Sequence, residues 1–135
     1  MPTTEVRGDF DVKVQPQPPS DLAQATGVGR MSLDKHFHGP LEGPSRGEML
    51  TLMTEVQGSG VYVAIERFTG TLEGRSGSFA LHHTGIMERG APNLTVTVVP
   101  DSGTGELTGI SGRMRIIIAD GKHSYEFEYS LGARD

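Results

Sequence analysis

Residues 43–47 read Gly-Pro-Ser-Arg-Gly, the G-x-S-x-G spacing of a serine-hydrolase nucleophile elbow. There a sharp strand-to-helix turn thrusts the Ser outward, and an Asp and a His follow in the chain. Asp120 and His123 do follow. The elbow also needs a helix behind the Ser and a large α/β sheet, and 135 residues leave no room for them. An internal repeat accounts for the motif instead. Residues 39–45, 70–76 and 105–111 each read G-x-L-x-G-x-S. The paired glycines predict a chain reversal through positive φ, with Leu41, Leu72 or Leu107 tucked beneath as its anchor. Hydrolase chemistry is set aside, and the first copy is expected to be a turn.

His36, His38 and Glu42 form H-x-H-x-x-x-E, the spacing of a metal-binding cupin's first motif. Two imidazoles on one strand face with a carboxylate beyond suit Fe, Mn or Zn. The glycines around that motif are misplaced, however, and no second His-bearing motif follows. Glu42 is explained by the repeat, so no metal and no cofactor are expected. Asp101-Ser102-Gly103-Thr104-Gly105 lacks the Lys and trailing helix of a phosphate loop and reads as a wide turn.

Three other residues could carry chemistry. Glu66 shares a strand face with Tyr62, Ala64 and Phe68. Facing a cavity, it would be desolvated, its pKa would rise, and it would suit a general acid or base. The competing reading turns Glu66 to solvent and lets Val61, Val63 and Ile65 fill the core. His123 shares a face with Tyr125, Phe127 and Tyr129, where an imidazole can shuttle protons, orient a ligand oxygen or simply bond a core neighbour. His82 and His83 point to opposite faces of a strand and cannot chelate one metal. His83 shares parity with Phe79 and Leu81 and is the inward one. The candidate catalytic set is therefore Glu66, His83 and His123. Tyr62, Phe68, Phe79, Met114, Tyr125, Phe127 and Tyr129 form the candidate ligand-binding wall.

The elements that must position these side chains are strands. With 19 Gly and 8 Pro, the chain turns often, and no long amphipathic helix is evident. Strands are expected at 8–15, 28–38, 48–57, 61–69, 78–88, 93–100, 113–119 and 122–131, with a crossing loop or short helical turn between the first two. Asp120-Gly121 predicts a two-residue hairpin. It pairs Ile118 with His123, Ile116 with Tyr125 and Met114 with Phe127 on one face. Arg115 then meets Glu126 and Arg113 meets Glu128 on the other, so apolar packing and charge agree on one register. A similar two-residue turn at Gly58-Ser59 would pair Leu52 with Ile65.

The three repeats join strands two to three, four to five and six to seven, at one end of an up-and-down sheet. With no helix to cover its faces, such a sheet closes. The expectation is an all-β, eight-stranded antiparallel closed barrel formed by residues 1–135 as one domain, with 1–7 and 132–135 as loose ends.

The runs YVAIERFTGTLEGRSGSFALHH, VVPDSGTGELTGISG and DGKHSYEFEYSL resemble the bacterial family of domain of unknown function 3224, from Gly8 to Leu131. That family is similar in fold to allene oxide cyclase, a calycin-like barrel. Plant allene oxide cyclases are oligomers that cyclise an unsaturated fatty-acid epoxide in an apolar cavity without a cofactor. Their catalytic set includes a Cys and a Glu, and this chain has no Cys. The resemblance therefore implies the barrel and does not carry the reaction. It implies a lumen-facing Glu66, with the aliphatic face of that strand packed on a second subunit of a homo-oligomer.

The net charge of −5 disfavours nucleic acid as a partner. No membrane span or signal peptide is read, and a cytoplasmic location is expected. The function expected is binding of a small hydrophobic or aromatic molecule. Cofactor-independent isomerisation or cyclisation is one possibility, with Glu66 as acid/base and His83, His123, Tyr62 and Tyr125 positioning substrate. A non-catalytic carrier or sensor is the other.

Overall fold

The computed structural model describes residues 3–18 and 20–132. Its strands are β1 (Thr4–Pro16), β2 (Gly29–His38), β3 (Leu41–Met53), β4 (Gly60–Leu72), β5 (Arg75–Glu88), β6 (Ala91–Val98), β7 (Thr104–Gly105), β8 (Ser111–Ala119) and β9 (Lys122–Ser130). One short helix, α1 (Asp21–Thr26), lies between β1 and β2; the ladder runs through Pro16 to a Gln17 N–H bond with the Arg30 carbonyl oxygen, and Pro18 has no N–H to carry it further. The sheet order is β4-β3-β2-β1-β9-β8-β6-β5, and pairing of β4 with β5 closes it into the expected barrel. The two-residue β7 adds to β5 outside that circuit. No helix among the described residues is long and apolar enough to cross a membrane.

Alternation decides what enters the lumen. On β4, Ala64, Glu66 and Phe68 are buried while Val61, Val63 and Ile65 are exposed, which settles the facing of that strand. Phe37, Phe68, Phe79, Tyr125, Phe127 and Tyr129 form a chain of ring contacts with centroids 5.1–6.0 Å apart. Each such side chain contributes about 1.5–3 kcal/mol by leaving water. The repeat leucines Leu41, Leu72 and Leu107 are all fully buried at this rim, and Leu41 pairs directly with Leu72. The anchoring role read from the repeat is thus real.

The turn role is not uniform. Residues 41–45 of the first copy are strand, and its reversal falls on Gly39-Pro40. The second copy turns at Glu73-Gly74, both at positive φ. The three copies share an anchor rather than a turn conformation, because each Leu is fixed by the core whichever residues bend beside it.

The Asp120-Gly121 hairpin has the expected register throughout, from Ala119↔Lys122 to Arg113↔Glu128. Both turn residues lie at positive φ, 53° and 74°, as a tight hairpin matching strand twist requires. The β3–β4 connection differs from expectation. Leu52 pairs with Val61 rather than Ile65, because residues 54–59 form a wider loop. The Thr54 hydroxyl donates to the carbonyl oxygens of Val56 and Ser59 there, at 3.3 and 3.1 Å. The slip is an even number of residues, so every side chain keeps its face.

The amino-terminal segment expected to be loose is strand from Thr4 onward, paired from Thr4↔Tyr129 to Arg7↔Glu126. Of the other expected loose end, Gly132 follows β9, and residues 133–135 lie outside the described residues, as do 1 and 2.

Candidate functional site

Among the described residues, the buried polar or charged side chains apart from tyrosines are Lys35, Ser45, Glu66 and His83. They come from four adjacent strands, β2 to β5, and meet in one cluster. The Lys35 ammonium donates to Glu66 Oε2 at 2.8 Å, and the Ser45 hydroxyl donates to Glu66 Oε1 at 2.6 Å. His83 Nε2 abuts the same Oε2 as an ion-pair contact, without the direction of a regular hydrogen bond. Lys35 Nζ also lies 5.1 Å from the Phe10 ring centroid and 5.7 Å from that of Phe37, an arrangement that favours a cation.

The backbone makes room for this cluster. Gly47 pairs with Glu66, and a Cβ on Gly47 would stand 1.9 Å from the Ile65 carbonyl oxygen. Gly43, Ser45 and Gly47 all face inward along β3. The G-x-S-x-G match therefore records two positions of close strand approach flanking a serine that serves a carboxylate. It is neither an elbow nor a turn.

Glu66 is buried, as the family resemblance implied and strand parity alone left open, but its pKa moves opposite to expectation. Burial by itself pushes the carboxyl up. Contact with the His83 ring, the nearby Lys35 charge and the Lys35 hydrogen bond outweigh it and hold the group at about 2. The sequence reading of a raised pKa considered desolvation without the cation that accompanies it. Burial, and then the Glu66 charge, push the Tyr62 phenol up; its ring lies 6.3 Å from that of His83.

Above this cluster the lumen is open. A cavity of about 240 Å³ is walled by Phe10, Val12, Leu33, Met49, Tyr62 and Ile116, with Lys35, His83 and His123 also on its surface. Its mouth passes Val14, Leu94 and Ile118, which are exposed. His123 packs against Phe10 with ring centroids 5.3 Å apart. The structure thus brings Glu66, His83 and Tyr62 together, with His123 across the same cavity.

Phe68, Phe79, Met114, Tyr125, Phe127 and Tyr129 stand elsewhere. They pack the other half of the lumen, each at most 3% exposed, and none of them lines the cavity. The Tyr125 hydroxyl accepts from the Leu41 N–H at 3.1 Å and donates to the His38 carbonyl oxygen at 2.9 Å, tying the β2–β3 turn to β9. The Tyr129 hydroxyl contacts Glu73, and burial followed by that carboxylate pushes its pKa to about 12. His82 is exposed beside Thr97.

Sequence reasoning missed Lys35 and Ser45. Lys35 carried a legible signal, since it shares parity with Leu33 and Phe37 in a strand whose alternate face is polar. Ser45 was hidden by assigning its segment to a turn.

Fold and site together define a closed antiparallel β-barrel, filled at one rim and open at the other above a buried Lys–Ser–Glu–His cluster. The chain belongs to the DUF3224 family of proteins of unknown function, whose model matches residues 6–129. It is similar to a DUF3224-family protein of unknown function from Shewanella oneidensis MR-1, known from a crystal structure. The two are 50% identical, with a TM-score of 0.92 over 98% of this chain and 100% of that one. Among curated proteins no match is found.

Proposed function

We propose that the open half of the lumen binds a small apolar or aromatic molecule bearing one or two oxygen atoms. The observation that carries this reading is the convergence of Lys35, His83, Tyr62 and His123 on an otherwise apolar cavity. A few polar groups that fix orientation within an apolar wall are the usual composition of a small-molecule site. At about 240 Å³ the cavity is below the roughly 300–1,000 Å³ of drug-sized sites, so the ligand is compact, on the scale of one or two rings. An anionic or strongly polarised oxygen would meet the Lys35 ammonium at the floor.

Native mass spectrometry of freshly purified protein would look for a copurifying small molecule. Ligand-observed NMR with small phenols, aromatic aldehydes and aromatic carboxylates would supply defined probes. Binding that disappears when Ile116→Trp plugs the cavity supports the reading. Equal binding by the plugged variant, or no ligand by either method, overturns it.

A second reading, cofactor-independent isomerisation or cyclisation, is favoured by the contact between Glu66 and His83 at the closed floor. With its carboxyl held at about 2, Glu66 is ionised at neutral pH, which fits the base half of the acid/base role read from the sequence. His83, on the cavity wall, would exchange the proton, and Glu66 would orient the ring. Loss of turnover in His83→Asn with ligand binding retained would separate this enzyme from a carrier.

The same reading includes self-association. Leu50, Val61, Val63, Ile65 and Ile86 are exposed on the outer wall of β3, β4 and β5, a contiguous apolar face of the kind that marks contact surfaces. Arg30 and Glu48, paired at 2.7 Å on its border, offer both signs of charge to a second copy in a two-fold arrangement.

A further inference from the structure

We infer that His36, His38 and Glu42 form a divalent metal site on the outer wall of the barrel, one that takes zinc or a similar first-row ion. His36 and His38 are two residues apart on β2 and both face outward, while Lys35 and Phe37 face the lumen. Glu42 lies beyond the Gly39-Pro40 reversal, on the neighbouring outward face of β3. One ligand atom from each of the three residues falls within a sphere of mutual distances no greater than 4.8 Å. His36 Nε2 lies 3.1 Å from Glu42 Oε2, and His38 Nδ1 lies 3.8 Å from the same oxygen. The two rings are 4.8 Å apart, centroid to centroid.

A chance cluster of exposed side chains would lack supports behind its ligands. Here each of two ligands has one. His38 Nε2 is hydrogen-bonded to Asp11 Oδ2 at 2.9 Å, which leaves Nδ1 toward Glu42. A carboxylate behind a ligating imidazole fixes its tautomer and raises its basicity. The Gly39 N–H donates to Glu42 Oε1 at 3.2 Å, which leaves Oε2 toward the histidines. The Tyr125 bond to the His38 carbonyl holds the strand end itself in place. Two imidazoles and one carboxylate are a donor set for Zn²⁺, with similar ions following by their affinity for nitrogen and oxygen. The half-exposed position leaves the remaining coordination open to water or an anionic oxygen. The absence of a second cupin motif argued against a cupin, and it does not bear on a site completed by the β2–β3 hairpin and Asp11.

The test is isothermal titration of the full chain, purified without a polyhistidine tag, with ZnCl₂, alongside Co²⁺ binding read by visible absorption. One ion per chain is expected. His36→Ala and His38→Ala should each weaken binding at least about tenfold, and Asp11→Asn, which touches no ion, by about ten- to a hundredfold. His82→Ala should leave binding unchanged. All four positions are exposed, so circular dichroism should show the barrel intact in every variant. Binding by the natural chain no tighter than by the His36→Ala/His38→Ala double variant overturns the site. Unchanged affinity in Asp11→Asn overturns the supporting role given to that carboxylate.

Discussion

The two halves of one lumen are built by the same strands and the same alternation, yet they differ in kind. At the rim of the repeats, Phe37, Phe68, Phe79, Tyr125 and Phe127 are fully buried and fill the barrel. At the other rim the inward positions carry Val12, Val14, Met49, Leu94, Ile116 and Ile118, and a cavity remains. Between them lies a layer of buried charge, the one such layer among the described residues. The difference teaches that barrel geometry alone does not decide whether a lumen is core or pocket. Side-chain volume at each level decides it, and the Lys35–Glu66 layer forms the floor where one regime gives way to the other.

The comparison is broken most directly at that floor. Glu66→Leu leaves the Lys35 ammonium buried without its anion and should cost about 3–5 kcal/mol in urea unfolding. The double variant Lys35→Met/Glu66→Leu should recover most of that loss, since an apolar pair of similar volume removes both charges. If the double variant is as unstable as the single, the pairing account fails. Phe79→Ala in the filled half should cost a similar amount, about 3–5 kcal/mol. Ile118→Ala at the mouth, where the side chain is 66% exposed, should cost about 0.5 kcal/mol or less. Near-equal losses at these two positions would erase the distinction between the halves.

Acid should act through the same layer. The Glu66 carboxyl titrates at about 2 in the folded chain against an ordinary 4.5. A depressed folded value contributes stability that is fully present above about pH 4.5 and is lost as the pH falls toward 2. Between pH 6 and pH 3, Glu66→Gln should therefore lose less stability than the natural chain, by on the order of 1–2 kcal/mol. Parallel pH profiles for the two proteins would show that the carboxylate is not held by its neighbours.

On the outer wall the expected effects on stability are smaller. Ile65→Lys should lower the mass measured by size exclusion with light scattering while leaving unfolding stability within about 0.5 kcal/mol. Unchanged mass would remove that face from the self-association proposal. Arg115→Ala, which breaks an exposed 3.2 Å pair with Glu126, should change stability by under about 1 kcal/mol. It thus provides the baseline for a contact that reports register without supporting it.

Most of the strand order could be read from the sequence alone. Alternation placed His83 and His123 inward but left the facing of Glu66 open, because both faces of its strand carry apolar residues, and Asp120-Gly121 with its matched charges specified a register correct at every pair. The repeats located one rim and its three buried leucines. These features are local: a period of two, a turn that demands positive φ, and a leucine beside it need no knowledge of distant residues. Tertiary structure alone decided what those inward groups meet. Lys35 reaches Glu66 across 31 positions of sequence, and the direction of the Glu66 pKa depends on that meeting. Where the lumen fills depends on volumes summed over eight strands at one height. Desolvation can be anticipated from a single strand, but the partner charge and the packing that oppose it come from other strands, so only closure of the barrel fixes the balance.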